Sequence, residues 1–213
     1  MSRLTGAWYD ARTCFSMHIR RKRIFLGVAT VITIGLGVYA WQTMRQPVAL
    51  PQDFLRARRE AGAISAQVVA ITGDVHTIVG EINATERAGA HDEARARIAD
   101  ARAKNETARQ LTLELTNRLR VLAESFGEIP SPQSQRLALQ AVSAELAVAG
   151  EYLMYTSNLN AFFDALAVTA GNSTTDQARL VQEALDAVNG SAARINELNA
   201  AALAALARFD ASL

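Results

Sequence analysis

The chain has 213 residues and a net charge of +1, enough for one sizeable domain with a segment to spare. Half of it is hydrophobic, 6% is aromatic, 20% is charged and about a fifth is alanine. This composition favours long helices and excludes a β-sandwich, a collagen-like repeat and a disordered polar tail. A single cysteine excludes an internal disulfide framework or a cysteine-rich zinc module, and the near-neutral charge gives no global attraction to nucleic acid.

Charge is unevenly placed along the chain. Residues 1–41 carry six basic residues (Arg3, Arg12, Arg20, Arg21, Lys22 and Arg23) against Asp10, which leaves 16 basic and 20 acidic residues for 42–213. Ile24 to Trp41 holds no charge at all. As a helix this run rises about 27 Å, close to the hydrocarbon thickness of a bilayer. The tetrabasic cluster Arg20, Arg21, Lys22 and Arg23 precedes it directly, and Trp41 stands where an interfacial aromatic belt would lie. The expected layout is a short basic cytoplasmic segment (1–23), a single transmembrane signal-anchor helix (24–41), a linker (42–51) and an extracytoplasmic domain (52–213) held at the inner (plasma) membrane. The alternative start at Met17 makes the run a secretory signal cleaved near Ala40, which would release a secreted or periplasmic domain. A retained anchor is the better fit, because the apolar run exceeds the usual signal core of about 7–15 residues.

Beyond residue 51 the chain divides at three breaks: Ala88-Gly89-Ala90, Gly127 to Pro132, and Gly171 to Thr174. Gly89 is suited to close a helix and Asp92 to open the next; Ser131 followed by Pro132 reads as an N-cap with proline in the first turn; Asn172, Ser173 and Thr174 offer caps for the last segment. The segments between, 52–87, 92–126, 132–170 and 174–209, are nearly equal, and apolar residues step by three and four in each. The first stripe is Phe54, Ala57, Ala61, Ile64, Val68, Ile71, Val75, Ile78 and Ile82, with Arg58 taken as a surface position. The second runs from Ala94 through Asn105 to Phe126, the fourth from Val181 through Asn199 to Phe209. The third segment has two stripes, one through Ala141, Val148, Tyr152 and Leu159, another through Leu139, Val142, Leu146, Ala149 and Leu153. Four equal helices with short links predict an all-α fold, an antiparallel up-down-up-down four-helix bundle with coiled-coil-like packing behind a single N-terminal transmembrane helix. In that arrangement the aromatics of the third segment lie level with Ala94, Ala96, Ala99, Ala101 and Ala103 of the second and with Gly80 and Ala84 of the first, large side chains against small.

Signatures of bundle chemistry are missing from the sequence. No histidine has a Glu three residues before it, as a di-iron site requires, and there is no haem-attachment motif, phosphate loop, nucleophile elbow or zincin motif. His76 sits level with Met154, a possible axial pair, but a lone histidine flanking a core position reads as structural. No catalytic, cofactor or metal site is therefore expected. The arginines of the second segment are interleaved with Asp92, Glu93, Asp100 and Glu106, which makes a solvated ion-paired face and not a nucleic-acid surface. Four glycosylation sequons, at Asn83, Asn105, Asn172 and Asn189, are read as chance. The residues that stand out are Asn105 and Asn199, polar at core positions, which serve either to fix register or to line a pocket.

In architecture the expected bundle resembles the extracytoplasmic sensor domains of chemoreceptors, whose first helix also continues from a membrane span. It departs from them in lacking a second span after the fourth helix. The expected function is a non-enzymatic, membrane-anchored interaction or scaffold module of the cell envelope, with a protein partner or a second copy of itself. The alternative is a small-ligand sensor. In the anchor, Ala29, Thr33 and Gly37 recur every four residues, a pattern by which spanning helices pair.

Overall fold

The structure, a computed structural model, describes residues 50–169 and 175–213; the leader, the run 24–41 with its flanking Arg20, Arg21, Lys22, Arg23 and Trp41, and the cap candidates Asn172 to Thr174 lie outside the described residues. The described chain is all-helical, with four long helices: α1 (Gln52–Arg87), α2 (His91–Glu124), α3 (Pro132–Thr169) and α4 (Thr175–Asp210). A short 3-10 turn, Ser125–Glu128, ends the second segment, so the α-helix stops two residues before Phe126.

Local chemistry sets these boundaries. Past Arg87, Gly89 takes φ +74°, its N–H bonds to the Glu86 carbonyl, and the Ala90 N–H reaches back to the Thr85 carbonyl. Such a left-handed closure favours glycine because a Cβ there would clash with the backbone. Asp92, expected to open the next helix, lies instead in its first turn with Glu93, where carboxylates meet the positive end of the helix dipole. Ser131 does cap α3: its hydroxyl accepts the Ser134 N–H at 3.3 Å, and Pro132 is the first helical residue.

The interior consists of three clusters stacked along the helices. One gathers the start of α1 (Phe54), the end of α2 (Leu119, Leu122), the start of α3 (Ala138, Val142) and the end of α4 (Leu206, Phe209), with Leu50 and Leu213 packed against it. The rings of Phe126 and Phe209 lie 6.2 and 5.8 Å from that of Phe54. Another cluster joins the opposite ends, with Ile78, Ile82, Ile98, Ala101, Phe162, Phe163 and Val181. Between them lie Val68, Ala108, Val148, Tyr152, Ile195 and Ala202.

One described helix, α1, is by length and composition apolar enough to cross a membrane. In the fold its apolar stripe is a packing surface: Phe54, Val68, Val75 and Ile82 are all nearly inaccessible and sit in the clusters above.

The stripes of α1, α2 and α4 lie where the periodicity places them, apart from single positions. Ile71 is only half-buried and Thr72 takes the interior place beside it. Leu115 and Leu185 are likewise half-buried. In α3 the first expected stripe is buried at Ala141, Val148, Tyr152, Leu159 and Phe162, and the second only at Val142 and Ala149; the interior also takes in Ala138, Glu145 and Thr156, and leaves Leu139 at 54% exposed. The large-against-small expectation holds for Phe162 and Phe163 with Ala101, whereas Ala96, Ala99, Ala103, Gly80 and Ala84 face outwards.

Arg58 corrects the sequence reading outright. It is buried, and its guanidinium donates to both carboxylate oxygens of Asp210 at 3.2 and 3.3 Å, joining α1 to α4. Ile78→Ala is expected to cost about 2–5 kcal/mol in chemical denaturation, and the half-buried Ile71→Ala distinctly less. Arg58→Ala, which strands the Asp210 carboxylate, is expected to cost about 3–5 kcal/mol; a change no larger than that of the exposed Arg56→Ala would refute the buried pair.

Candidate functional site

A long helix exposes no backbone donors along its middle, so recognition inside a bundle must come from side chains. Those that the interior of this fold offers are Ser65, Thr72, Asn105, Thr112, Glu145, Tyr152, Thr156, Ser191 and Asn199, all buried. The three threonines are accounted for within their own helices. Thr72 donates to the Val68 carbonyl, Thr112 to that of Ala108 and Thr156 to that of Leu153, each at 2.8–2.9 Å. Threonine can enter a core in this way because the preceding turn satisfies its hydroxyl.

Asn105, expected at a core position, is 1% exposed and its Nδ2 donates twice, to the Thr156 carbonyl and to Asn160 Oδ1, each at 2.8 Å. Both partners are on α3, so one α2 side chain fixes the sliding position of α2 against α3. That is the register role of a buried asparagine. The same two bonds occupy the amide that a glycan would need, so this sequon is closed in the folded chain. Across the α3–α4 seam Asn158 does the equivalent work, donating to Ser191 Oγ at 2.9 Å, while Arg194 reaches both Ser191 Oγ and Glu151. Sequence reasoning missed this seam; the signal for it was an asparagine and a serine both standing beside apolar stripes.

Asn199 differs. It is 4% exposed, and its Nδ2 has no hydrogen-bond partner. No hydrogen bond joins Asn105 to Asn199. One turn of α4 from Asn199 is Ile195, which packs in the middle cluster with Tyr152. The Tyr152 hydroxyl also has no partner, and burial drives its pKa well above the ordinary value. Its ring lies 5.7 Å from that of Tyr155, whose hydroxyl burial pushes up to about 12. The middle cluster thus combines two tyrosines with two polar atoms that no side chain satisfies. Since an unmade buried hydrogen bond costs about 1–3 kcal/mol, this level of the interior is where an additional polar molecule would gain most.

Glu145 is the second unexpected feature. It occupies the interior line of α3 with 8% exposure, and burial raises its carboxyl to about 7. Nothing in the sequence marks it except that the two expected stripes of α3 bracket it. At the closed end, burial lowers the Arg58 guanidinium to about 10 against the pull of Asp210, and raises Asp210 against the pull of Arg58. For both partners the loss of water outweighs their mutual attraction, so the pair positions the helices more than it stabilises them.

The remaining charges lie outside. Arg97 meets Glu81, Lys104 meets Asp74 and Arg118 meets Glu60 between α1 and α2, and Arg102 meets Asp164 between α2 and α3. Arg95, Arg97, Arg109 and Arg120 also pair with acids three or four residues away on their own helix. These exposed pairs contribute little singly. His76 is half-buried, with its pKa lowered by burial, and Met154 is 54% exposed. Among the described residues no group of three or more His, Cys, Asp or Glu side chains is placed to hold a metal ion.

The chain matches no protein-family profile, no curated protein and no solved structure.

Two measurements test this interior. Between pH 4.5 and about 7 the unfolded chain releases the Glu145 proton while the folded chain keeps it. Stability should therefore be fullest below pH 4.5 and fall as pH rises to about 7, by roughly 3 kcal/mol from this group. Denaturant melts of Glu145→Gln should lose most of that slope, the remainder coming from Asp210; an unchanged slope would place Glu145 in water. Asn105→Leu should lose about 1–3 kcal/mol, because two inter-helix bonds go. Asn199→Leu should leave stability unchanged or higher, since its buried amide nitrogen bonds to nothing; equal losses at both sites would contradict the assignment.

Proposed function

We propose that the chain is a membrane-anchored, extracytoplasmic helical module that works by binding other protein surfaces and not by catalysis. Its four helices are read as an up-down-up-down bundle, and the apolar run 24–41 as its single-pass anchor. The stacking of α1 start, α2 end, α3 start and α4 end in one cluster supports the bundle topology. The tetrabasic flank Arg20–Arg23, with the charge-free run after it, supports an N-terminus in the cytoplasm and a bundle on the far side.

The observation that carries the scaffold reading is how the interior polar groups are used. Asn105, Asn158, Arg58 and Asp210 each bond to a neighbouring helix and so fix the position of one helix against another. A bundle locked in this way presents rigid, unchanging outer faces, which is what an interaction module needs.

A second reading, a sensor for a small polar molecule, draws on Asn199 Nδ2 and the Tyr152 hydroxyl, which the protein leaves unpaired at the middle of the interior. A metabolite screen by thermal shift on the full-length protein decides between the readings: a specific upward shift that Asn199→Leu abolishes without lowering the unliganded melting temperature establishes the sensor.

Topology is tested on intact cells. A membrane-impermeant thiol reagent should label an introduced Ser212→Cys and leave native Cys14 unlabelled until the cells are broken. Labelling of Cys14 from outside would reverse the orientation, and recovery of the chain in the soluble fraction would replace the anchor with a cleaved signal.

A further inference from the structure

Among the described residues, α3 has an outer face unlike those of its neighbours. From Leu139 through Ala147, Gly150 and Met154 to Ala161, no exposed position on it is charged. These residues step by three and four along one side of the helix, opposite the interior line, over about 33 Å. Leu139 and Met154 are each 54% exposed, and a side chain added at Gly150 would meet nothing within 4 Å. Leu139 and Met154 therefore flank shallow, uncharged positions (Ser143, Ala147 and Gly150) into which another helix could settle, with Gln140 and Ser157 as its polar members. The exposed face of α2 is different, with Asp92, Glu93, Arg95 and Asp100 in its first turns, and α4 presents Arg179, Glu183, Asp186 and Glu197.

We propose that this face of α3 packs against the same face of a second copy of the chain, the two bundles lying parallel. The proposal rests on the anchored-module reading and names its partner. A two-fold axis running along the helix sets each residue against its own counterpart, so every exposed charge on such a face meets a like charge. The stretch from Leu139 to Ala161 escapes that penalty; the outer faces of α2 and α4 do not. The acids at its margins are already engaged, Glu151 by Arg194 at 2.8 Å and Asp164 by Arg102. The charge-free run 24–41 lies ahead of every bundle and would hold two copies by the same end, which selects the parallel arrangement. Its Ala29, Thr33 and Gly37 repeat suits pairing of the spans themselves.

Disulfide trapping of the full-length chain in its own membranes tests this. In a Cys14→Ser background, mild oxidation of Ala147→Cys should give a covalent dimer, and Ala99→Cys, exposed on α2, should stay monomeric. Adding Met154→Lys to Ala147→Cys should reduce the trapped fraction by at least about tenfold, because two ammonium groups would face each other across the contact. Its melting temperature should change little, since Met154 is exposed and belongs to none of the interior clusters. Trapping at both cysteines or at neither, or indifference to Met154→Lys, overturns the proposal. Fractionation of the same cells keeps the two readings apart. A membrane-bound chain that does not trap through Ala147→Cys sinks the α3 contact alone, whereas a soluble chain sinks the anchor and leaves the cross-link to decide the surface.

Discussion

The first and last helices share no chain connection, so their contact has to be made by side chains. Phe54 on Phe209 and Arg58 on Asp210 make it. Each consecutive pair of helices is also held close by the short link between its members. The pair between α1 and α4 has to be specified chemically. A hydrophobic contact there could slide or rotate, while a guanidinium nitrogen shared between both oxygens of one carboxylate adds a directional, charge-assisted contact. Burial works against both charges.

The rest of the polar interior follows the same logic with neutral groups. Asn105 sets α2 against α3 and Asn158 sets α3 against α4. A polar lock at an interface distinguishes the right register from a slip by one turn, which an alanine-rich apolar stripe would tolerate. Alanine side chains are small and alike, so packing alone discriminates weakly between registers. The polar locks supply the discrimination that the composition withholds.

Much of the fold was legible because the signals that define helices are local. Gly89 and the Ser131–Pro132 pair placed two breaks to within a residue or two, and three of the four stripes emerged from steps of three and four. Arg58 and Glu145 were not legible. A charged residue is assigned to the surface by its type, and only its partner across the fold, or the absence of one, reveals that it is inside. The interior face of α3 takes residues from both expected stripes with Glu145 between them, so the sequence offered a clue that residue type overrode. Asn105 and Asn199 stood out equally in the sequence, both asparagines on apolar stripes. What separates them is the Thr156 carbonyl and the Asn160 side chain on another helix, information that no spacing along one segment contains. The proposed α3 contact was illegible for a related reason: a surface of alanine, serine and glycine has no motif.

Leu50 and Leu213 pack against the same cluster, and Ser212 bonds to Ser134 there. Both ends of the described chain therefore leave from one end of the interior. Tension between them would not shear the helices along their length, where many contacts would resist together. It would act on the aromatic end first, drawing α1 away from α4 at Phe54, Arg58 and Asp210 and then opening the interior turn by turn. Peeling of this kind loads contacts one at a time and yields at low force. In mechanical terms the protein is a clasp whose hinge lies at the turn around Gly89 and whose catch is a single buried ion pair.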